Sequence, residues 1–138
     1  MRAKSICPLF LGINGNVLKL PFRDECIDGI WNTAIMEYLS KEEIKIALGE
    51  FRRVLKKGSY LIIFWPYQYG PLEVIRISIS KIIKIFRRGY WYAPEEASFA
   101  KSKNFIKKII QESDFEIRSI NYSYRDIFNH LILVCRKI

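Results

Sequence analysis

Side chains able to act as nucleophiles or to hold a metal are sparse in this 138-residue chain: three cysteines, Cys7, Cys26 and Cys135, and a single histidine, His130. A structural zinc site takes four nitrogen or sulfur ligands in close groups, and no C-x-x-C spacing occurs here. The odd number of cysteines also argues against a disulfide framework, so a reducing, cytoplasmic setting is the simplest reading. His130 falls in an apolar run without chemical company in sequence and reads as structural rather than catalytic. A stronger position is Asn32-Thr33, at the carboxyl end of the apolar run 27–32, because open α/β sheets bind ligands beyond the carboxyl ends of their strands. Upstream of it, Asn14-Gly15-Asn16 has the composition of a tight turn.

Positioning those residues requires strands and helices, and their signals alternate along the chain. A short strand is expected over 9–13 and a second, buried one over 27–32, with Asp28 as a structural anchor beside it. Ile44, Ala47, Leu48, Phe51, Val54 and Leu55 recur at helical spacing. Ser40 with Glu43 three residues later forms a capping box at the start of that helix, and Lys56-Lys57-Gly58 is expected to close it with a left-handed turn. An apolar strand over 60–65 follows, stopped by Pro66. Residues 72–88 then alternate Ile and Leu with Arg76, Lys84, Arg87 and Arg88, the pattern of a basic amphipathic helix. An aromatic loop over 90–94 precedes a helix over 103–113 that buries Phe105, Ile106, Ile109 and Ile110. Strands over 115–122 and 128–135 finish the order, which favours an α/β sandwich of one domain, 1–138, with an antiparallel final hairpin.

Half of the residues are apolar, enough for a core, and the formal net charge is +9. That balance favours anionic partners such as RNA or an anionic membrane surface, with the 76–88 helix as the face that would meet them. No run reaches the roughly 18 apolar residues that a membrane-spanning helix needs. The basic start is followed by an apolar run too short for a signal peptide and broken by Pro8.

Gly15-Asn16-Val17, Leu20-Pro21-Phe22, Ile27-Asp28-Gly29-Ile30, Glu37-Tyr38-Leu39 and Arg53-Val54-Leu55-Lys56-Lys57-Gly58 occur in an order and spacing that resembles the central part of class I S-adenosylmethionine-dependent methyltransferases. Those relatives carry a GDA-x-x-LPF loop, an FD-x-V strand, an E-H-L turn and a helix ending RVLKPGG. The resemblance runs from Gly15 to near the end of the chain, where "SDFEIRSINYSYRDIF" is similar to the family's final hairpin. It implies an incomplete Rossmann-like methyltransferase sandwich with a mostly parallel sheet, and S-adenosylmethionine as cofactor. The glycine-rich loop and the ribose-binding carboxylate of the family have no counterpart here, so the chain reads as a truncated domain of which about 60 residues are missing.

By resemblance, Asn16 stands where the family's Asp contacts the adenine amino group, with Val17 and Leu18 beside the ring; the same three residues are also what a plain turn and core would need. Asn32 and Thr33 would lie beside the methionine portion. Tyr38, next to Glu37, stands where many relatives have His, and Tyr67, Tyr90 and Trp91 fall in the segment that tends to cover the substrate. The catalytic residues and the methyl acceptor are not legible. Two missing strands would have lain between 9–13 and 27–32, leaving the latter as an edge that segment 6–13, a second copy or a protein partner would cover. A methyltransferase-like protein that is either a C-terminal fragment or a chain needing such a partner for activity, a non-catalytic module that pairs with a complete methyltransferase, and a basic membrane- or RNA-binding protein are the three functional readings. With two hydrogen bonds to the cofactor gone, affinity is expected to fall by roughly two to four powers of ten.

Overall fold

In the computed structural model, residues 11–33, 35–67, 74–75, 78–79, 103–123 and 130–138 are described. Four strands, β1 (Ile27–Thr33), β2 (Leu55–Pro66), β3 (Phe115–Tyr122) and β4 (His130–Lys137), form one sheet in the order β1-β2-β4-β3. β1 pairs parallel with β2, while β4 lies antiparallel between β2 and β3. Among the described strands the sheet is therefore mixed, with one parallel pair and two antiparallel ones, and not mostly parallel as expected, because β4 inserts antiparallel between β2 and β3.

Helix α1 (Lys41–Val54) starts where its capping box places it. The Glu43 amide donates to Ser40 Oγ at 3.2 Å, and the Ser40 amide donates to Glu43 Oε2 at 2.8 Å. Its apolar stripe, Ile44, Ala47, Leu48, Phe51 and Val54, is buried. Helix α2 (Lys103–Gln111) buries Ile106, Ile109 and Ile110, with Phe105 half-buried against the same core. Leu61, Ile63 and Trp65 of β2 and Leu131, Leu133 and Cys135 of β4 alternate into one cluster with both helix stripes. The helices thus share one face of the sheet; the residues between, such as Ile62, Phe64, Ile132 and Val134, remain half-buried on the other. Burial pushes the Cys135 thiol up to about 12, so this cysteine is an inert core residue.

Several sequence expectations change. The helix does not end in a left-handed turn at Gly58: its cap is the extended Leu55, which already belongs to β2. Gly58 adopts its positive φ of 78° inside β2, in the bulge where the pairing jumps from Ile27↔Leu55 to Gly29↔Tyr60. Asp28 anchors that bulge through Lys56, Nζ to Oδ1 at 2.6 Å. β1 is not a buried strand, because it stands at the edge of the described sheet; Asn32 is its buried residue, and Trp31 is 68% exposed. Residues 11–13 form no strand, while 9–10 lie outside the described residues. Of the basic segment 72–88, Val74, Ile75, Ser78 and Ile79 are described: they are helical, with exposed side chains. The final strand runs from His130 to Lys137, two residues beyond the expected end.

Ser40→Ala removes one half of the capping box. It is expected to lower stability by about 1 kcal/mol, seen as a lower urea midpoint with an unchanged denaturant slope.

Candidate functional site

Residues 30–32 of β1, Ile35, Phe51 of α1 and the segment 11–22 line a cavity of about 480 Å³. One wall is Leu20, Pro21 and Phe22; the facing wall is Ile30, Trp31 and Asn32, with Phe51 of α1 behind. The chain reaches this shape through close local packing. A Cβ on Gly15 would sit 3.0 Å from Pro21 Cδ, so glycine lets the turn lie against the proline. Asn16 makes an Asx-type turn: its Oδ1 accepts from the Leu18 amide at 2.9 Å, and its carbonyl accepts from the Lys19 amide at 2.9 Å.

Two residues of α1 grip the Leu20–Phe22 wall. Glu50 Oε2 accepts from the Leu20 amide at 2.8 Å. The Arg53 guanidinium donates to the carbonyls of Leu20 at 3.1 Å and Phe22 at 2.8 Å, and to Asp24 Oδ1 at 2.7 Å. It also meets both Glu50 oxygens, each at 2.8 Å. This guanidinium, assisted by the Leu20 amide, holds the Glu50 carboxyl down to about 2.

Asn32 is the residue with a polar amide or charged side chain among those that line the cavity. Asn32 is 3% exposed, and its Oδ1 has no hydrogen-bond partner among the described residues. Glu37, on the single 3-10 turn Met36–Tyr38 that follows β1, is 4% exposed, and its Oε2 is likewise unpartnered among them. Burial raises the Glu37 pKa above the usual carboxylate value, opposed by its own backbone amide and by the charge of His130. A cavity of about 500 Å³ at the opposite end of the sheet is lined by Asp24, Glu25, Arg52, Arg53 and Lys137. Its charges are largely paired with each other, Arg53 with Asp24 and Lys137 with Glu25. No group of three or more metal-binding side chains occurs among the described residues.

Residues 4–63 match the family model described as a methyltransferase domain. An S-adenosylmethionine-dependent methyltransferase from Methanosarcina mazei is similar over 90% of this chain and 65% of its own, with 20% identity and a TM-score of 0.62. The fold is that of the class I S-adenosylmethionine-dependent methyltransferases. Geranyl diphosphate C-methyltransferase from Streptomyces coelicolor, solved with S-adenosylhomocysteine, is similar over 99% of this chain and 58% of its own, at 15% identity and a TM-score of 0.65. The [4+2]-cyclase SpnF is similar over 99% and 58%, at 13% identity and a TM-score of 0.68. The chain thus spans less than two thirds of the length of these structures. No curated protein sequence matches it.

Within this methyltransferase fold, Val17 and Asn32 line the same cavity. Asn16 and Leu18 shape its turn without lining it, and Thr33 is exposed at the end of β1. Tyr38 is exposed on the 3-10 turn. Tyr67 lies apart from the cavity, edge-on to Tyr122 with ring centres 5.2 Å apart, and burial together with the Tyr122 hydroxyl raises its pKa. Tyr90 and Trp91 fall outside the described residues. Sequence reasoning passed over Trp31, which stacks on Phe64 at 5.1 Å and forms part of the wall. It also missed the Glu50–Arg53 pair, whose i, i+3 spacing on a helix face was the available signal.

Because the folded-state pKa of Glu37 lies above its unfolded value, the folded protein holds the proton more tightly, and stability falls as pH rises from the unfolded value near 4.5 through the raised one. Glu37→Gln removes that dependence. It is expected to raise the thermal midpoint at pH 7 relative to wild type, with the gain disappearing below pH 4.5, in melts followed across pH.

Proposed function

We propose that this chain is a methyltransferase-like domain that contributes one wall of an S-adenosylmethionine site, and that a second element, at the edge that β1 forms in the described sheet, completes the site. The observation that carries the reading is the cavity itself. Apolar side chains dominate its lining, Asn32 offers a buried acceptor without a donor among the described residues, and one of its walls is the edge strand of the described sheet.

The residues present fit the cofactor in two respects. Val17, Leu20, Pro21 and Phe22 give an apolar surface suited to the adenine ring, and Asn32 Oδ1 suits an N–H donor such as the ammonium of the methionine end. When bound, S-adenosylmethionine supplies an electrophilic methyl group on sulfur. The chain's own part is to bind and orient: the Leu20–Phe22 wall and Phe51 exclude water, and the end of β1 sets the direction of approach. Transfer of a methyl group depends chiefly on in-line positioning, which makes a complete enclosure more important than a strong acid or base.

The edge supports the second half of the reading. A strand at the edge of the described sheet, with a 68% exposed tryptophan, invites another strand, from a second copy or from a protein partner. RNA or an anionic membrane surface is the alternative partner, carried by the net charge of +9 and by the basic segment 76–88, which lies mostly outside the described residues.

Calorimetric titration of the purified chain with S-adenosylhomocysteine is expected to show no saturation at micromolar concentrations. Saturable micromolar binding that disappears in Asn16→Ala would show that the chain encloses the cofactor unaided. Sedimentation velocity is expected to show self-association that weakens in Trp31→Lys. A stable monomer at high concentration would remove the case for pairing at β1.

A further inference from the structure

The wall that carries Leu20, Pro21 and Phe22 has no secondary structure of its own beyond one tight turn, yet six hydrogen bonds converge on it and its anchor. We propose that Arg53, acting through Glu50, is the positioning residue of the cavity: the pair locks the Leu20–Phe22 wall onto α1 and thereby sets how well the cavity holds a ligand. This inference rests on the reading of the cavity as a cofactor wall, and concerns which side chains make that wall rigid.

The geometry separates Arg53 from an ordinary surface ion pair. A planar guanidinium is needed to reach Glu50, Asp24 and two backbone carbonyls at once, and an ammonium cannot reproduce that fork. The carbonyls of Leu20 and Phe22 flank Pro21, so both ends of the cavity-lining tripeptide are tied down. Glu50 closes the loop of contacts, because the Leu20 amide donates to the same oxygen, Oε2, that Arg53 Nη2 holds. Phe51, between the two anchors in sequence, faces the cavity from the same helix. Just beyond the wall, the Glu25 amide donates to the Arg53 carbonyl at 3.0 Å and the Cys26 amide to the Val54 carbonyl at 2.9 Å, so the gripped segment runs directly into β1. The wall, the end of α1 and the start of β1 therefore move as one body. A preformed wall costs a ligand less ordering on binding, which is why the clamp acts on affinity without touching the ligand.

Amide exchange followed by NMR on the chain as it stands reads the clamp directly. In Arg53→Lys the Leu20 amide is expected to exchange roughly tenfold faster or more, the loss of about one charge-assisted hydrogen bond, while the amides of β4 keep their wild-type rates. Glu50→Gln should speed the same amide and provides a second variant if Arg53→Lys folds poorly. In a parallel titration with S-adenosylhomocysteine, the initial slope of the Trp31 indole shift should fall about fivefold in Arg53→Lys, with the global unfolding midpoint little changed. A Leu20 rate unchanged in the folded variants overturns the proposal. So does equal acceleration of Leu20 and β4, which would make Arg53 a general packing residue. A wild-type chain whose Trp31 signal ignores the ligand would overturn the cofactor reading of the cavity, while the exchange rates still decide the clamp.

Discussion

Helix α1 passes into strand β2 without a loop, Val54 being the last helical residue and Leu55 the first of the strand, and this junction constrains almost everything around it. A helix end leaves carbonyls without intrahelical partners, and a buried one must find donors elsewhere. Here they come from three places. The Glu25 and Cys26 amides reach the carbonyls of Arg53 and Val54, and Lys137 Nζ, on a residue only 7% exposed, reaches the Leu55 carbonyl at 2.7 Å. The start of β1, the end of α1 and the end of β4 are thereby stitched at one point. The direction of β2 follows, and with it the position of Asn32 at the far end of the neighbouring strand.

That stitching explains what the sequence disclosed and what it hid. The body of α1 was legible because its stripe and its capping box are local, built from residues within a few turns of one another. Its end was misplaced because Lys56-Lys57-Gly58 has the composition of a helix stop, whereas the donors that replace such a stop come from residues 25, 26 and 137. The burial of β1 was misread for a related reason. Ile27, Ile30 and Trp31 make an apolar run, but burial of a strand depends on neighbours on both sides, and β1 has one on one side only in the described sheet, at the edge position that the resemblance had implied for 27–32. At the site, the Asn14-Gly15-Asn16 turn and Asn32 were visible as residue types at strand ends. The grip of Arg53 on Phe22 joins positions 31 residues apart, a distance at which no local pattern operates.

The comparisons add a chemical lesson. The solved structures with this fold include a methyltransferase described with S-adenosylhomocysteine and a protein described as a [4+2]-cyclase. One architecture serves different reactions when the side chains beyond the carboxyl ends of the strands differ. In this chain those side chains are an uncharged amide at Asn32 and a buried carboxyl at Glu37, each with an unsatisfied oxygen among the described residues. Buried acceptors without donors lower stability. Both lie at or just beyond the carboxyl end of β1, beside the candidate cavity, the placement expected where stability gives way to recognition; a third unpartnered atom among the described residues, Arg52 Nε, lies at the opposite end of the sheet.

The placement of β4 has a kinetic consequence. It is the last of the four strands in sequence but lies between β2 and β3, with Tyr60 opposite Arg136 and Leu61 opposite Cys135. The sheet cannot close until that late segment has emerged and threaded into the gap, so the ordering cost of a very long loop falls before most of the core contacts form. During synthesis α1 can form early, while the apolar sides of β2 and β3 wait for their shared neighbour. This interval, more than the finished fold, is when a nascent chain of this topology is most exposed to chaperones and to pairing with the wrong strand.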